Sequence, residues 1–68
     1  MKQEFGAWLV SQHQRDDWVG LFGFQARCDL AFPRAADPDG VRAYLTGKGA
    51  DADTIDMLET ATQEWGRA

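Results

Sequence analysis

The stretch Asp17-Trp18-Val19-Gly20-Leu21-Phe22-Gly23-Phe24-Gln25-Ala26-Arg27-Cys28-Asp29-Leu30-Ala31-Phe32-Pro33 decides how this chain folds. Placed at about 100° per residue, Val19, Phe22, Ala26 and Leu30 fall in one arc of roughly 80°, the signature of a helix with a buried face. Asp17 stands where an N-cap belongs, its carboxylate free to accept from the N–H groups of the first turn. Pro33 disfavours the α conformation at Phe32, so the helix predicted over Trp18 to Leu30 stops before it.

The same stretch carries a second apolar arc. Leu21, Phe24 and Cys28 span about 60° on the far side of the helix. Gly20 and Gly23 lie between the arcs. Each costs about 1 kcal/mol against Ala in a helix interior, and close approach of a neighbouring backbone is the physical reason to keep them. Two readings follow. A helix that is apolar nearly all round is buried, covered by neighbours on both sides. Alternatively, Leu21, Phe24 and Cys28 form an exposed strip that another chain covers.

Working outward, three more helices are predicted. The first runs from Gln3 to Gln12, with Phe5, Trp8, Leu9 and Gln12 on one face and Glu4 in the first turn, where it favours the helix dipole. The third starts at Asp37-Pro38-Asp39, with Asp37 as N-cap and Pro38 as the first helical residue. Its apolar face is Val41, Tyr44 and Leu45, and Gly47 and Gly49 mark its end. The fourth begins between Asp51 and Thr54 and runs to Trp65, with Ile55, Leu58, Ala61, Thr62 and Trp65 on one side. Asp51 and Asp53 are both candidate caps. No segment alternates with period two, so no sheet is predicted. The expected core is Phe5, Trp8, Leu9, Val19, Phe22, Ala26, Leu30, Phe32, Val41, Tyr44, Leu45, Ile55, Leu58, Ala61 and Trp65.

Sixty-eight residues make one domain. A chain this short buries only about 60% of the surface it exposes when unfolded, so its core has to be dense. Three Trp, four Phe and one Tyr supply the bulk. The one cysteine excludes an intramolecular disulfide, and the apolar run Ala7 to Val10 is too short for a membrane span or a signal-peptide core. A cytoplasmic protein is the expectation. The net charge of −4 is uneven: residues 1–34 balance, and all of the excess acid lies in residues 35–68. Phosphate backbones and anionic membranes are bound through clustered Lys and Arg, which the chain lacks.

Candidate chemistry is thin. Ser11 and His13 are two residues apart, so on a helix they point to different sides. Cys28 falls near the C-terminal end of its helix, where the dipole disfavours a thiolate, and reads as a small apolar residue, buried or half-buried. Asp51, Asp53 and Asp56 do not fit the spacing of a calcium loop, since the fifth position counted from Asp51 is Ile55 and the twelfth is Thr62. Gly20-Leu21-Phe22-Gly23 lacks the strand and the lysine of a phosphate loop. Asp29, at the edge of the apolar arc, needs partners. It is expected to accept from N–H groups of the Phe32-Pro33 turn or to pair with Arg34.

One ordered series remains: Phe5, Trp8-Leu9, Gln12, Arg15-Asp16-Asp17, Val19-Gly20, Asp29, Phe32-Pro33-Arg34, Tyr44-Leu45 and Glu64-Trp65. Its order and spacing resemble the YozE SAM-like family of small bacterial proteins, over about Phe5 to Trp65. The resemblance implies an all-α, compact four-helix orthogonal bundle similar to the sterile alpha motif. It implies no catalytic residue, because the family carries no established activity. Relatives tend to have a polar residue after Val-Gly and an Ala two places later, where this chain has Leu21 and Gly23. Phe24 is more apolar than the family pattern, and Trp18 stands where many relatives have Pro. These departures favour an interaction surface on Leu21, Phe24 and Cys28 with Trp18 at its rim.

The expectation is therefore a non-enzymatic interaction domain without cofactor, metal, membrane or small-molecule substrate, binding a protein partner or its own kind. The alternative is a nucleic-acid-binding accessory protein, since some domains of this type bind RNA hairpins. Its patch would be Lys2, Arg15, Arg27 and Arg34.

Overall fold

Each helix starts where an aspartate can cap it, except the first. In the computed structural model, which describes residues 3–67, the chain forms α1 (Phe5–Ser11) continuing into a 3₁₀ turn (Gln12–Gln14), then α2 (Trp18–Cys28), α3 (Pro38–Gly47) and α4 (Ala52–Arg67). The architecture is an all-α bundle of four helices, with no strand among the described residues. Asp17 Oδ1 accepts from the Gly20 N–H at 3.0 Å, and Asp37 Oδ1 from the Gly40 N–H at 2.8 Å with Pro38 as first helical residue. At α4 the choice between two caps falls to Asp51, whose Oδ1 accepts from the Thr54 N–H at 2.9 Å. Glu4 sits at the N-cap of α1 and makes no side-chain cap bond.

The end of α3 shows why Gly49 is where it is. The Ala50 N–H reaches back to the Leu45 carbonyl at 3.0 Å and the Gly49 N–H to the Thr46 carbonyl at 3.0 Å. This double closure needs a left-handed residue between them, and Gly49 supplies it with φ 85°.

The bundle closes on Phe5, Leu9, Val10, Val19, Phe22, Ala26, Phe32, Val41, Leu58 and Ala61, all buried. Trp8, Tyr44, Leu45, Ile55 and Trp65 pack around it, partly buried. Phe5 is the hub: its ring stacks on Trp8 at 6.1 Å and meets the edge of Trp65 at 5.7 Å. Burying a side chain of this size is worth about 1.5–3 kcal/mol, so the hub accounts for a sizeable part of a small domain's stability. The Trp65 indole N–H donates to the Gln3 carbonyl at 2.8 Å and so ties the end of α4 to the start of the chain.

Three expectations are corrected. Leu30 belongs to no core: it is 98% exposed. The helix stops at Cys28 because Asp29 takes an extended conformation, φ −95° and ψ 106°, and the turn it opens swings Leu30 outward. Phe32 enters the core in its place, its N–H donating to the Asp29 carbonyl at 3.0 Å. Helix α1 begins at Phe5 rather than Gln3 and becomes 3₁₀ from Gln12. Cys28 is exposed, not buried or half-buried.

Candidate interaction surface

The position of α2 is set by its two glycines. A Cβ on Gly20 would overlap the Arg15 carbonyl oxygen, and one on Gly23 would overlap that of Leu9. The segment from Leu9 to Arg15 therefore lies directly against one flank of α2, closer than any side chain permits. On the adjoining side Val19, Phe22 and Ala26 go into the core. The remaining side is left open.

That open side carries Leu21, 60% exposed, Phe24, 48% exposed, and the exposed Cys28, with Trp18 at 37% one turn before Leu21. Helix α2 is thus covered by the Leu9–Arg15 segment on one flank and by the core on the adjoining side, and Leu21, Phe24, Cys28 and Trp18 lie on what remains open. A depression of about 430 Å³ runs alongside, lined by His13, Arg15, Asp16, Asp17, Gly20, Leu21 and Phe24.

The charges around the strip differ from end to end. At the N-terminal end Arg15 is held by two carboxylates, Asp17 at 2.6 Å and Glu64 at 2.9 Å. These bonds raise the Arg15 pKa. The Gly20 N–H and then the Arg15 guanidinium hold the Asp17 carboxyl below the usual carboxylate range. Asp16 is exposed and has no ion pair among the described residues. At the C-terminal end Arg27 and Arg34 are exposed, and neither meets a carboxylate among the described residues. Arg34 Nη2 donates to the Arg27 backbone carbonyl at 3.4 Å, which places the Arg34 guanidinium at the C-terminal end of α2.

A separate polar cluster lies at the α2–α3 junction. Asp29 accepts from the Tyr44 hydroxyl, from the Ala31 N–H at 3.0 Å and from Lys48 Nζ at 3.2 Å. The Tyr44 hydroxyl is the first cause that holds the Asp29 carboxyl below its ordinary range. The backbone bond to the following turn was legible in the sequence. The Arg34 pairing does not occur, and Lys48 and Tyr44 take its place. Both lie on α3 and its cap four residues apart, a spacing that puts them on one face. Between this cluster and the core runs a groove of about 240 Å³, with Phe22, Ala26, Phe32 and Leu45 among its lining residues. No sequence signal marked it, because its walls come from three separate segments.

One of the four cations of the nucleic-acid patch is engaged elsewhere. Arg15 is neutralised by Asp17 and Glu64, and Lys2 lies outside the described residues. Arg27 and Arg34 remain. His13 sits half-buried in the 3₁₀ turn, while the Ser11 hydroxyl donates to the Trp8 carbonyl at 2.6 Å. No helix among the described residues is long and apolar enough to cross a membrane. These features define a four-helix all-α domain with one uncovered apolar helix face. Compared with family models, with curated proteins and with solved structures, the chain matches none.

Proposed function

We propose that this domain is a non-enzymatic interaction module that binds protein, its own kind or another, through the outer side of α2. The observation that carries the reading is the strip itself: Leu21 and Phe24 stand exposed on a helix whose opposite side is locked into the core. Water contact with these side chains adds nothing to the fold. Covering them yields roughly 25 cal/mol per Å² of apolar surface, before the costs of association are subtracted. Among the described residues the cations without an ion pair are Arg27, Arg34 and Arg67, too few for a phosphate-tracking surface.

The same reading keeps the chain beside the YozE SAM-like family and in a bacterial cytoplasm. The ordered residue series, the four-helix architecture and the lack of any cysteine pair support it.

Sedimentation equilibrium of the wild type and of Phe24→Asp tests the interaction. The expected result is a concentration-dependent mass above the monomer that the variant abolishes, with the helical circular dichroism unchanged. A Phe24→Asp chain that unfolds would show Phe24 to be core and end the reading.

A further inference from the structure

The strip also indicates what covers it. This inference rests on the reading of α2 as a binding face. Among the described residues the exposed large hydrophobics are Trp18, Leu21, Phe24 and Leu30. Three of the four lie on the strip, and the fourth stands alone on a turn. A head-to-tail assembly would have to seat the strip in the groove at Phe22, Ala26, Phe32 and Leu45, whose wall carries the Asp29–Lys48 pair and where none of the exposed large hydrophobics of the described residues stands. An apolar strip whose counterpart within the same chain is itself makes an isologous contact, the same patch on both subunits around a two-fold axis.

The charges decide the direction. The unpaired acid Asp16 borders the strip at one end, in the depression it shares with Leu21 and Phe24. At the other end are Arg27, in the last turn of α2, and the Arg34 guanidinium on the Arg27 carbonyl, neither in an ion pair among the described residues. Two strips packed parallel would set Asp16 on Asp16 and arginine on arginine. Packed antiparallel, the acidic end of each meets the basic end of the other, at both ends at once. The remaining charges nearby do not oppose this, since Asp17 is neutralised by Arg15.

We propose that a second copy of this chain covers the strip, with α2 antiparallel to α2 about a two-fold axis near Leu21, midway between Asp16 and Arg27. The strip is narrower than the roughly 800 Å² per partner of a standard interface, so the dimer is weak and concentration-dependent.

A charge-swap experiment tests it, read by sedimentation equilibrium at concentrations up to about 1 mM. Asp16→Arg alone, and Arg27→Glu with Arg34→Glu alone, each put like charges at both ends of a homodimer. Each is expected to weaken dimerisation about tenfold or more. An equimolar mixture of the two restores opposite charges at both ends and is expected to dimerise like the wild type. All three substituted positions are exposed, so circular dichroism is expected to stay unchanged. A second measurement uses oxidation in a Cys28→Ser background. Leu21→Cys sits at the axis and cross-links. Native Cys28 does not, its copies being about 21 Å apart along the helices at 1.5 Å per residue, beyond disulfide reach.

The failures separate. A wild type that dimerises, loses it in Phe24→Asp, and yet tolerates both charge variants keeps the binding face and overturns the antiparallel pairing. A wild type that stays monomeric throughout overturns the second copy as occupant and leaves the face to a different protein.

Discussion

Phe22 and Phe24 sit two residues apart on the same helix and live in opposite surroundings. Phe22 is buried with Val19 and Ala26, whereas Phe24 shares the open side with Leu21 and Cys28. Residue type does not separate them. What separates them is which flank of α2 the glycines occupy. Gly20 and Gly23 let the backbone from Leu9 to Arg15 press against one flank. With that segment fixed there, the core forms on one adjoining side and nothing reaches the other. The lesson is that in a bundle this small the place where backbones touch decides which apolar side chains become core.

The contrast is broken most severely by truncating each phenylalanine in turn. Phe22→Ala is expected to cost about 3–5 kcal/mol, the range for a large aromatic removed from a packed core. That loss is comparable to the whole stability expected of a domain this size. Phe24→Ala is expected to stay within about 0.5 kcal/mol at concentrations where the protein is monomeric. Urea unfolding of the pair measures both. Equal losses would mean that the two sides are not different in kind.

A smaller effect tests the cause rather than the consequence. Gly23→Ala normally favours a helix, but here the added methyl would overlap the Leu9 carbonyl oxygen. The expected outcome is destabilisation by about 1–3 kcal/mol, the usual cost of overpacking. Gly47, near the end of α3, has open space around it. Gly47→Ala is expected to gain up to about 1 kcal/mol from helix propensity. Opposite signs at the two glycines, measured by the same urea titrations, would show that contact and not propensity governs α2. A neutral Gly23→Ala would remove the glycines from the account.

How far this could be seen in advance follows the range of the forces involved. Caps and turns are local, and Asp17, Asp37, Pro38 and Gly49 act as their neighbours in the sequence dictate. The helical periodicity of α2 places Val19, Phe22 and Ala26 together, and it would include Leu30 only if the helix ran two residues past Cys28. An aspartate that leaves helical geometry at position 29 has no periodic signature. The open side was legible as a strip but not as open, because exposure depends on where α1 and α4 come to rest. Arg15 is the clearest case of what was hidden: its partner Glu64 stands 49 residues away, and no local pattern links them.

The smallest expected effect separates packing from charge at the start of α2. Asp17 caps the helix with one carboxylate oxygen and meets Arg15 with the other. Asn in its place keeps the capping oxygen and loses the charge. The Asp17 carboxyl titrates below its ordinary range in the folded protein, so the ionised form is the one that folding favours. Its contribution is therefore complete above the ordinary carboxylate range and disappears as the pH falls through the lowered folded value. Asp17→Asn is expected to unfold slightly more easily than the wild type at pH 7. The gap should close as the pH drops below about 4, because the wild type then loses what the variant never had. Asp29 and Asp51 are lowered for similar reasons and remain in both proteins, so both should weaken together in acid while the difference between them vanishes. Thermal melts across that pH range read the difference directly. A gap that persisted in acid would place the role of Asp17 in capping geometry alone, and the start of α2 would then be held, like its buried side, without help from charge.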